Sequence, residues 1–291
     1  MSLSEINIRE KDFHNKLQSK TKGRFENIFY KAISNCGEDF LIFLKKNAQN
    51  SEILDYGCGI GSSVEKVIKY NPKKITGIDI SEISIEKAKK KAKELNIDIT
   101  YKVDNCEKTS LEQNSFDIVY GTGILHHLEI DKCLDEIYRV LKSKGDLLFI
   151  EPLGTNPIIN LYRKLTPKSR SEDEHPLVSK DFKYINSKFI DITIKYYGFL
   201  TLVFFPLYKS TNSKLFRLLV SCDQYLFKYK FFQLFAWSVL IEAKKNSSFA
   251  FSQGRQEIYV IVDTDVRESN LFIEIVDVDG SPGVAELVTG F

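Results

Sequence analysis

The sequence predicts an α/β protein whose mostly parallel sheet carries helices on both faces. Apolar, strand-like segments alternate with helical segments from residue 50 to residue 152, as they do in βαβ units. The first strand-like segment runs into a glycine-rich turn, and the second and third each end in an acid. Right-handed crossovers place the carboxyl ends of parallel strands at one edge of the sheet, so we expect a ligand to bind there.

The segment before the first strand is helical in pattern. Apolar residues recur at helical spacing over 25–33 and again over 40–44. We therefore expect residues 1–50 to form a helical cap on the sheet domain.

Between residues 50 and 152 most elements have a recognisable start or end. The helix after the first strand stops before Pro72, and Ser81 is a good N-cap for the next helix. Gly145 is predicted to cap the end of the last helix in this region. The lysine-rich face of the second helix is interpreted as solvated surface. The predicted elements are strand 53–56, helix 62–70, strand 75–80, helix 82–95, strand 98–103, strand 116–120, helix 129–143 and strand 146–150.

The pattern changes after Pro152, where charged residues and prolines become frequent. An apolar, β-branched stretch with Gly198 in its middle separates two helical regions, and the second of these is rich in aromatic residues. The predicted elements are helical pieces near 157–164 and 180–189, the apolar stretch 190–205, a helical segment over 213–236 and a final strand over 237–243.

The distribution of charge divides the chain. The whole chain has a net charge of +2, which gives no argument for nucleic acid or a membrane as a partner of the molecule as a whole. From residue 247 onward the chain has no lysine and a net charge of −6, while residues 1–246 carry +8. We therefore predict one domain over 1–246 and an acidic tail over 247–291. Alternating runs over 257–262 and 271–278 indicate β-hairpins in that tail.

Cysteine usage and the N-terminus favour a cytoplasmic protein. The five cysteines are widely spaced and contain no C-x-x-C pair, so neither a zinc ribbon nor a redox pair is indicated. Unpaired cysteines fit a reducing compartment. We find neither the apolar core of a signal peptide nor a run of about 20 apolar residues that could span a membrane. No metal-ligand cluster is apparent in the sequence, so no metal-dependent mechanism is predicted.

The glycine-rich turn suggests a nucleotide-like ligand. Glycine accepts a left-handed backbone and lets a ligand approach the chain closely, and the following helix start favours anionic or acceptor groups. A nicotinamide dinucleotide is the alternative, but its fingerprint G-x-G-x-x-G is not met here, because Ser62 stands at the position of the third glycine counted from Gly57.

Five ordered motifs make this sequence resemble the class I S-adenosylmethionine-dependent methyltransferases. They are LDYGCGIG, GIDIS, VDNCE, FDIVYGTGILHHL and RVLKSKGDLLFIEP. The resemblance covers residues 50–152 and points to the large branch that acts on small molecules, lipids and sugars. It implies a Rossmann-like, doubly wound, seven-stranded sheet with an antiparallel last strand, and S-adenosyl-L-methionine as the cofactor with S-adenosyl-L-homocysteine as the product. The insertions over 153–236 would then form the substrate lid.

The resemblance also implies roles for individual residues. The three glycines of the turn would lie along the methionine and ribose of the cofactor, and Tyr56 departs from the small or aliphatic residue usual in the family. Asp55 would contact the amino group of the cofactor's methionine part. Asp79 would contact its ribose hydroxyls, and Asp104 its adenine amine. The full set of expected cofactor-binding residues is Asp55, Gly57, Gly59, Gly61, Asp79, Ile80, Asp104, Asn105, Cys106, Tyr120, Gly121 and Thr122.

Three histidines are candidates for a general base, which a hydroxyl acceptor would need. His126 and His127 recur at this position in the family, where they can equally be structural. His175 lies among acids in the insertion after the fifth strand, and acids can orient a histidine and raise its basicity. It can also be an incidental loop residue. His14, in the N-terminal cap, is an outside candidate.

The leading functional hypothesis is methylation, at oxygen, of a small or glycan- or lipid-linked acceptor. The segment EHPL after the fifth strand is similar to methyltransferases of bacterial surface-glycan biosynthesis. A C- or N-methyltransferase of the lipoquinone type and a non-catalytic cofactor-binding assembly protein are the alternatives. The aromatic segment over 199–237 is interpreted first as core and lid packing, and otherwise as an apolar surface for a lipid-linked or membrane-borne substrate, with peripheral membrane contact. A nucleic-acid partner is not predicted, and a homo-oligomer is compatible with the sequence.

Overall fold

The computed structural model describes residues 3–19, 28–166, 171, 173–208, 210–246, 250–253 and 256–259. The chain divides into two units, Met1–Lys245 and Asn246–Phe291. The first unit is built on a seven-stranded sheet and the second contains a two-stranded one.

The sheet of the first unit has the order β3-β2-β1-β4-β5-β7-β6. Its first five strands pair in parallel, and β7 pairs antiparallel with both β5 and β6. This confirms the predicted Rossmann-like sheet with an antiparallel last strand. The strands are β1 (Glu52–Tyr56), β2 (Lys74–Asp79), β3 (Thr100–Val103), β4 (Phe116–Thr122), β5 (Leu141–Pro152), β6 (Phe189–Tyr197) and β7 (Ser238–Lys245).

Helices cover both faces of this sheet because its central strands are apolar on both sides. Alternate residues of β1 and β4 belong to different core clusters: Leu54 and Val119 pack on one face, and Ile53 and Ile118 on the other. The helices are α1 (Glu5–Ser19), α2 (Ser34–Asn47), α3 (Val64–Val67), α4 (Glu82–Glu94), α5 (Ile130–Val140), α6 (Pro157–Leu165), α7 (Ser179–Lys188), α8 (Leu200–Val203), α9 (Lys214–Leu226) and α10 (Lys230–Gln233).

The predicted end of the helix before β5 was wrong. This helix, α5, ends at Val140, and Gly145 lies within β5 rather than at a helix C-terminus. The last turn needs no glycine cap, because the backbone N–H groups of Asn114 and Ser115 donate to carbonyls of Arg139 and Val140. Gly145 has a packing role instead, since a Cβ there would lie 2.9 Å from the carbonyl oxygen of Lys142.

The insertions after β5 are mostly helical, with one difference from the predicted pattern. The apolar stretch 190–205 is a strand followed by a helix, and Gly198 separates them with φ of 81°. A Cβ on Gly198 would meet Ile33 at 2.7 Å, so this position combines a left-handed backbone with close packing. The aromatic segment that was predicted to be helical over 213–236 contains two separate helices, α9 and α10.

The second unit contains one described hairpin, in which β8 (Ala250–Gln253) pairs antiparallel with β9 (Gln256–Tyr259). The first predicted alternating run, 257–262, overlaps β9, and the second run, 271–278, lies outside the described residues. Within the described part of the chain, no helix combines the length and the apolar character needed to cross a lipid bilayer.

Candidate active site

The glycine-rich turn connects β1 to α3 at the carboxyl edge of the sheet. Gly57, Gly59 and Gly61 all have left-handed φ angles, of 71°, 52° and 71°. Gly57 also packs so closely that a Cβ would lie 2.4 Å from the Ile124 side chain. Only glycine fits these positions without strain, and the backbone is left open to a ligand.

Asp79 ends β2 beside this turn. Its carboxylate accepts hydrogen bonds of 2.9 Å from the backbone N–H of Gly59 and of Ser81. Burial raises the pKa of Asp79, and these two hydrogen bonds oppose the rise. Each carboxylate oxygen can accept more than one hydrogen bond, so Asp79 retains the capacity to accept from ligand hydroxyls. The half-buried Ile80 follows it directly.

Asp104 is buried after β3, and both its oxygens are engaged. One oxygen accepts from the backbone N–H of Asn105 at 2.9 Å, and the other from the N–H and hydroxyl of Ser110 at 2.8 and 2.7 Å. The carboxylate therefore caps its own loop, which is the alternative role that a strand-end acid can have. The buried thiol of Cys106 completes this segment. Contact of Asp104 with an adenine amine stays a prediction.

Asp55 and Tyr120 lie opposite each other on neighbouring strands, β1 and β4. Burial raises the pKa of Asp55 to about 7, although the nearby Tyr120 hydroxyl lowers it. The two groups fall outside ordinary hydrogen-bond geometry, so Asp55 Oδ2 and the Tyr120 hydroxyl are buried without a partner among the described residues. Since β4 extends to Thr122, Gly121 and Thr122 belong to the strand, which was predicted to end at Tyr120.

His126 is held by a buried acid that the sequence reasoning did not single out. Its Nδ1 lies 2.7 Å from Oε2 of Glu151, whose side chain is fully buried. The same carboxylate accepts from the backbone N–H groups of Ile124 and Leu125 at 2.9 and 2.8 Å. Glu151 thus caps the 3-10 turn Leu125–His127, and His126 is part of that structural arrangement. The only signal in the sequence was an acid at a strand end.

His127 points instead to the N-terminal helix. Its Nδ1 lies 3.1 Å from Oε2 of Glu10, and His14 Nε2 lies 3.6 Å from the same oxygen. Burial lowers the pKa of His127, and Glu10 opposes that shift. The pKa of Glu10 itself lies below its usual range; burial would raise it, but the surrounding His127, His14 and Ser171 outweigh burial.

Helix α1 makes side-chain contacts with the exits of several strands. Asn7 accepts from Asn105 at 2.9 Å, and Asn15 accepts from the Ser81 hydroxyl at 2.6 Å. Arg9 forms two hydrogen bonds of 2.8 Å with Asp173, in the insertion after β5. The helix therefore crosses the carboxyl edge of the sheet. The sequence pattern predicts a helical cap but not these contacts.

His175 lies on the exposed loop between α6 and α7. Its backbone N–H donates to the carbonyl of His126 at 2.8 Å, so the loop is joined to the β4 exit. Its Nδ1 lies 3.1 Å from the carbonyl oxygen of Asp173. A proton on Nδ1 would satisfy that oxygen and leave the lone pair on Nε2, which is the form that a general base needs.

Known proteins resemble this chain in the same region that contains the five sequence motifs. Residues 53–145 match the family described as "Methyltransferase domain". The chain is 30% identical over 111 residues to a sterol 24-C-methyltransferase of Candida albicans, which is 37% of this chain and 30% of that protein. It is 33% identical over 104 residues to a demethylmenaquinone methyltransferase of Bacteroides fragilis, or 34% of this chain and 42% of that one. The chain thus spans less than half the length of these curated relatives.

Solved structures share the fold at low sequence identity. A geranyl diphosphate C-methyltransferase of Streptomyces coelicolor, solved with Mg²⁺, geranyl diphosphate and S-adenosyl-L-homocysteine, superimposes with a TM-score of 0.59 at 13% identity over 84% of this chain and 100% of that one. A phosphoethanolamine N-methyltransferase of Haemonchus contortus, solved with S-adenosyl-L-methionine, gives 0.52 at 19% identity over 80% and 60% of the two chains. These likenesses confirm the predicted fold.

Proposed function

We propose that this chain, whose residues 53–145 match the family described as "Methyltransferase domain", is a class I S-adenosylmethionine-dependent methyltransferase that transfers a methyl group from S-adenosyl-L-methionine to a small-molecule acceptor. The observation that carries the proposal is the glycine turn with Asp55 and Asp79 beside it at one edge of the sheet. A buried, unpartnered Asp55 oxygen and a turn whose three glycines leave the backbone open suit a cationic, nucleoside-containing ligand.

The cofactor supplies an activated methyl group on a sulfonium, so the protein mainly has to orient the reactants and exclude water. Asp55 would bind the ammonium of the methionine part and Asp79 the ribose hydroxyls. The segment Asp104–Cys106 would take the adenine, and helix α1 would close over this side through Asn7 and Asn105.

We propose that the methylated atom is an oxygen and that His175 accepts its proton. The acceptor oxygen attacks the methyl carbon, the carbon–sulfur electron pair stays on sulfur, and the hydroxyl proton moves to His175 Nε2. His175 suits this role better than His126, which is buried, and better than His127, whose Nδ1 faces Glu10, because His175 lies on an exposed loop that an acceptor can reach. The contact of Nδ1 with the Asp173 carbonyl supports the required tautomer.

The surface of the insertions favours an apolar or lipid-linked acceptor. Several buried aromatic residues pack as expected of a lid, but a comparable number of large apolar side chains in α6, α9 and α10 and their flanks are exposed. Exposed examples are Ile158, Leu161, Leu165, Leu207, Leu218, Tyr225, Tyr229 and Phe231. C-methylation of an apolar acceptor is a second candidate, favoured by the curated relatives, which are named for sterols and demethylmenaquinone.

Substitution Asp79→Ala is expected to weaken S-adenosyl-L-methionine binding at least about tenfold, because a hydrogen bond to a charged group contributes about 1.5–3 kcal/mol. Isothermal titration calorimetry of the wild type and the variant measures this. Asp98→Ala, which removes an exposed acid after α4, is the matched control and should bind like the wild type. The proposal would be refuted if the wild type did not bind S-adenosyl-L-methionine, or if Asp79→Ala bound it as tightly as the wild type. Melting curves check that the variant is folded.

Substitution His175→Ala is expected to lower kcat by about 10²- to 10⁴-fold while the affinity for S-adenosyl-L-methionine is kept, because only proton removal is lost. A reduced naphthoquinone and an isoprenoid alcohol serve as trial acceptors. The rate at which S-adenosyl-L-homocysteine is released with each of them gives kcat. Mass and NMR spectra of the product distinguish O- from C-methylation. Lys180→Ala, on the exposed side of the same region, is the control. An unchanged kcat would remove His175 from the mechanism.

A further inference from the structure

Three potential metal ligands meet where α1 crosses the exit of β4. They are Glu10 and His14 of α1 and His127 of the turn after β4, and one ligand atom from each lies within 4.8 Å of the other two. Glu10 and His14 are four residues apart on one helix, so they project from the same face. His127 comes from a distant part of the sequence, which is why the cluster is invisible before folding.

The separations within the cluster fit a bound ion. Two ligand atoms that are each about 2.0–2.2 Å from a tetrahedral Zn²⁺ lie roughly 3.3–3.6 Å apart. Glu10 Oε2 is 3.1 Å from His127 Nδ1 and 3.6 Å from His14 Nε2. The two imidazole rings meet edge to face, with centroids 5.3 Å apart. Small rotations of these side chains would bring all three ligand atoms to one centre.

The Glu10 carboxylate is the independent evidence for a ligand. The residue is only 4% exposed, yet neither carboxylate oxygen makes a hydrogen bond of acceptable geometry among the described residues. The contacts of Glu10 with His127 and His14 are close but poorly aligned, and a cation shared with these two imidazoles would satisfy the buried carboxylate. Close nitrogen–oxygen distances combined with poor hydrogen-bond angles are expected when the lone pairs aim at a common point rather than at each other.

We propose that Glu10, His14 and His127 bind a divalent transition-metal ion of the zinc class. Two imidazoles and one carboxylate are a ligand set that such ions accept, and three protein ligands leave a position for water or an oxygen of another molecule. The His14 side chain is 31% exposed, which gives the ion a route from solvent. The ion fastens α1 to the β4 exit and thereby holds the helix across the carboxyl edge of the sheet.

Binding of Zn²⁺ to the purified full-length chain, first stripped with a chelator, tests this site without any assay of activity. Calorimetry should give one ion per chain, and Co²⁺ should produce visible absorption bands typical of a site with nitrogen and oxygen ligands. Glu10→Gln and His14→Ala should each weaken Zn²⁺ binding about 100-fold or more, since loss of even an outer partner typically costs 10- to 100-fold. Zn²⁺ should also raise the melting temperature of the wild type and not of these variants.

Two controls make the assignment specific. Asp12→Asn changes an exposed carboxylate on the same helix and should leave Zn²⁺ binding unchanged. Glu174→Gln tests the neighbouring grouping of His126, His127 and Glu174. The proposal is overturned if the wild type does not bind Zn²⁺, if Glu10→Gln and His14→Ala bind as tightly as the wild type, or if Glu174→Gln alone abolishes binding. Glu10→Gln retains the shape of the side chain, so a folded variant is expected for the comparison.

Discussion

Substitution Glu151→Ala is expected to lower the free energy of unfolding by about 3 kcal/mol or more, because each buried hydrogen-bonding group that loses its acceptor costs about 1–3 kcal/mol. The carboxylate is fully buried, contacts His126 and accepts from the backbone N–H groups of Ile124 and Leu125. Truncation leaves two buried N–H groups and one imidazole without their acceptor, and it also leaves a cavity. Equilibrium unfolding in urea measures the change.

Two further variants separate the causes of this loss. Glu151→Gln keeps the volume and one acceptor oxygen, so we expect a smaller loss than in Glu151→Ala. Glu112→Ala removes an exposed acid from the loop before β4 and should change stability by less than about 0.5 kcal/mol. A loss below about 1 kcal/mol in Glu151→Ala would show that the carboxylate does not organise the β4 exit.

The affinity for S-adenosyl-L-methionine is expected to rise about tenfold from pH 6 to pH 8 because of Asp55. Its folded-state pKa is raised to about 7 by burial, so below pH 7 the free protein carries a proton on this carboxyl. Binding of the cofactor ammonium requires the carboxylate, and the proton is released. The affinity therefore falls about tenfold for each pH unit below 7 and is nearly constant above it. Calorimetry in two buffers of different ionisation enthalpy measures the released proton.

The same group affects the stability of the free protein, with the opposite dependence on pH. Because the folded state binds this proton more tightly than the unfolded state, stability falls as the pH rises from about 4 to about 7. The shift of about three units from the ordinary value corresponds to roughly 4 kcal/mol. Asp55→Asn should remove both dependences. Since Asp79 also has a raised pKa, only the difference between the wild type and Asp55→Asn is assigned to Asp55. Parallel pH profiles for the two proteins would contradict the assignment.

The strands were predictable because their signals are local. Apolar runs ending in Asp55 and Asp79 give β1 and β2 to within about a residue, and alternation of core faces follows from strand geometry. The Gly145 prediction was wrong for a tertiary reason: the end of α5 is satisfied by N–H groups from the preceding loop, not by a local cap.

The candidate site was only partly predictable. The position of the glycine turn and its flanking acids follows from motif order, but the partners of those acids do not. The carboxylate of Asp104 accepts hydrogen bonds from Ser110, and Tyr120 lies opposite Asp55 because of the register in which β1 and β4 pair. His126 and His127 are adjacent in sequence, yet one faces Glu151 and the other Glu10. Nothing local distinguishes them.

The sequence by itself determined the fold class, the alternation of strands and helices in the cofactor-binding half, and the edge of the sheet where the ligand is expected. These features depend on periodicity and on left-handed glycines, which neighbouring residues specify. The tertiary structure alone decided which side chains share a partner. The raised pKa of Asp55, the burial of Glu151 and the meeting of Glu10 with His14 and His127 arise from packing between distant segments, because burial and charge proximity are properties of the assembled chain.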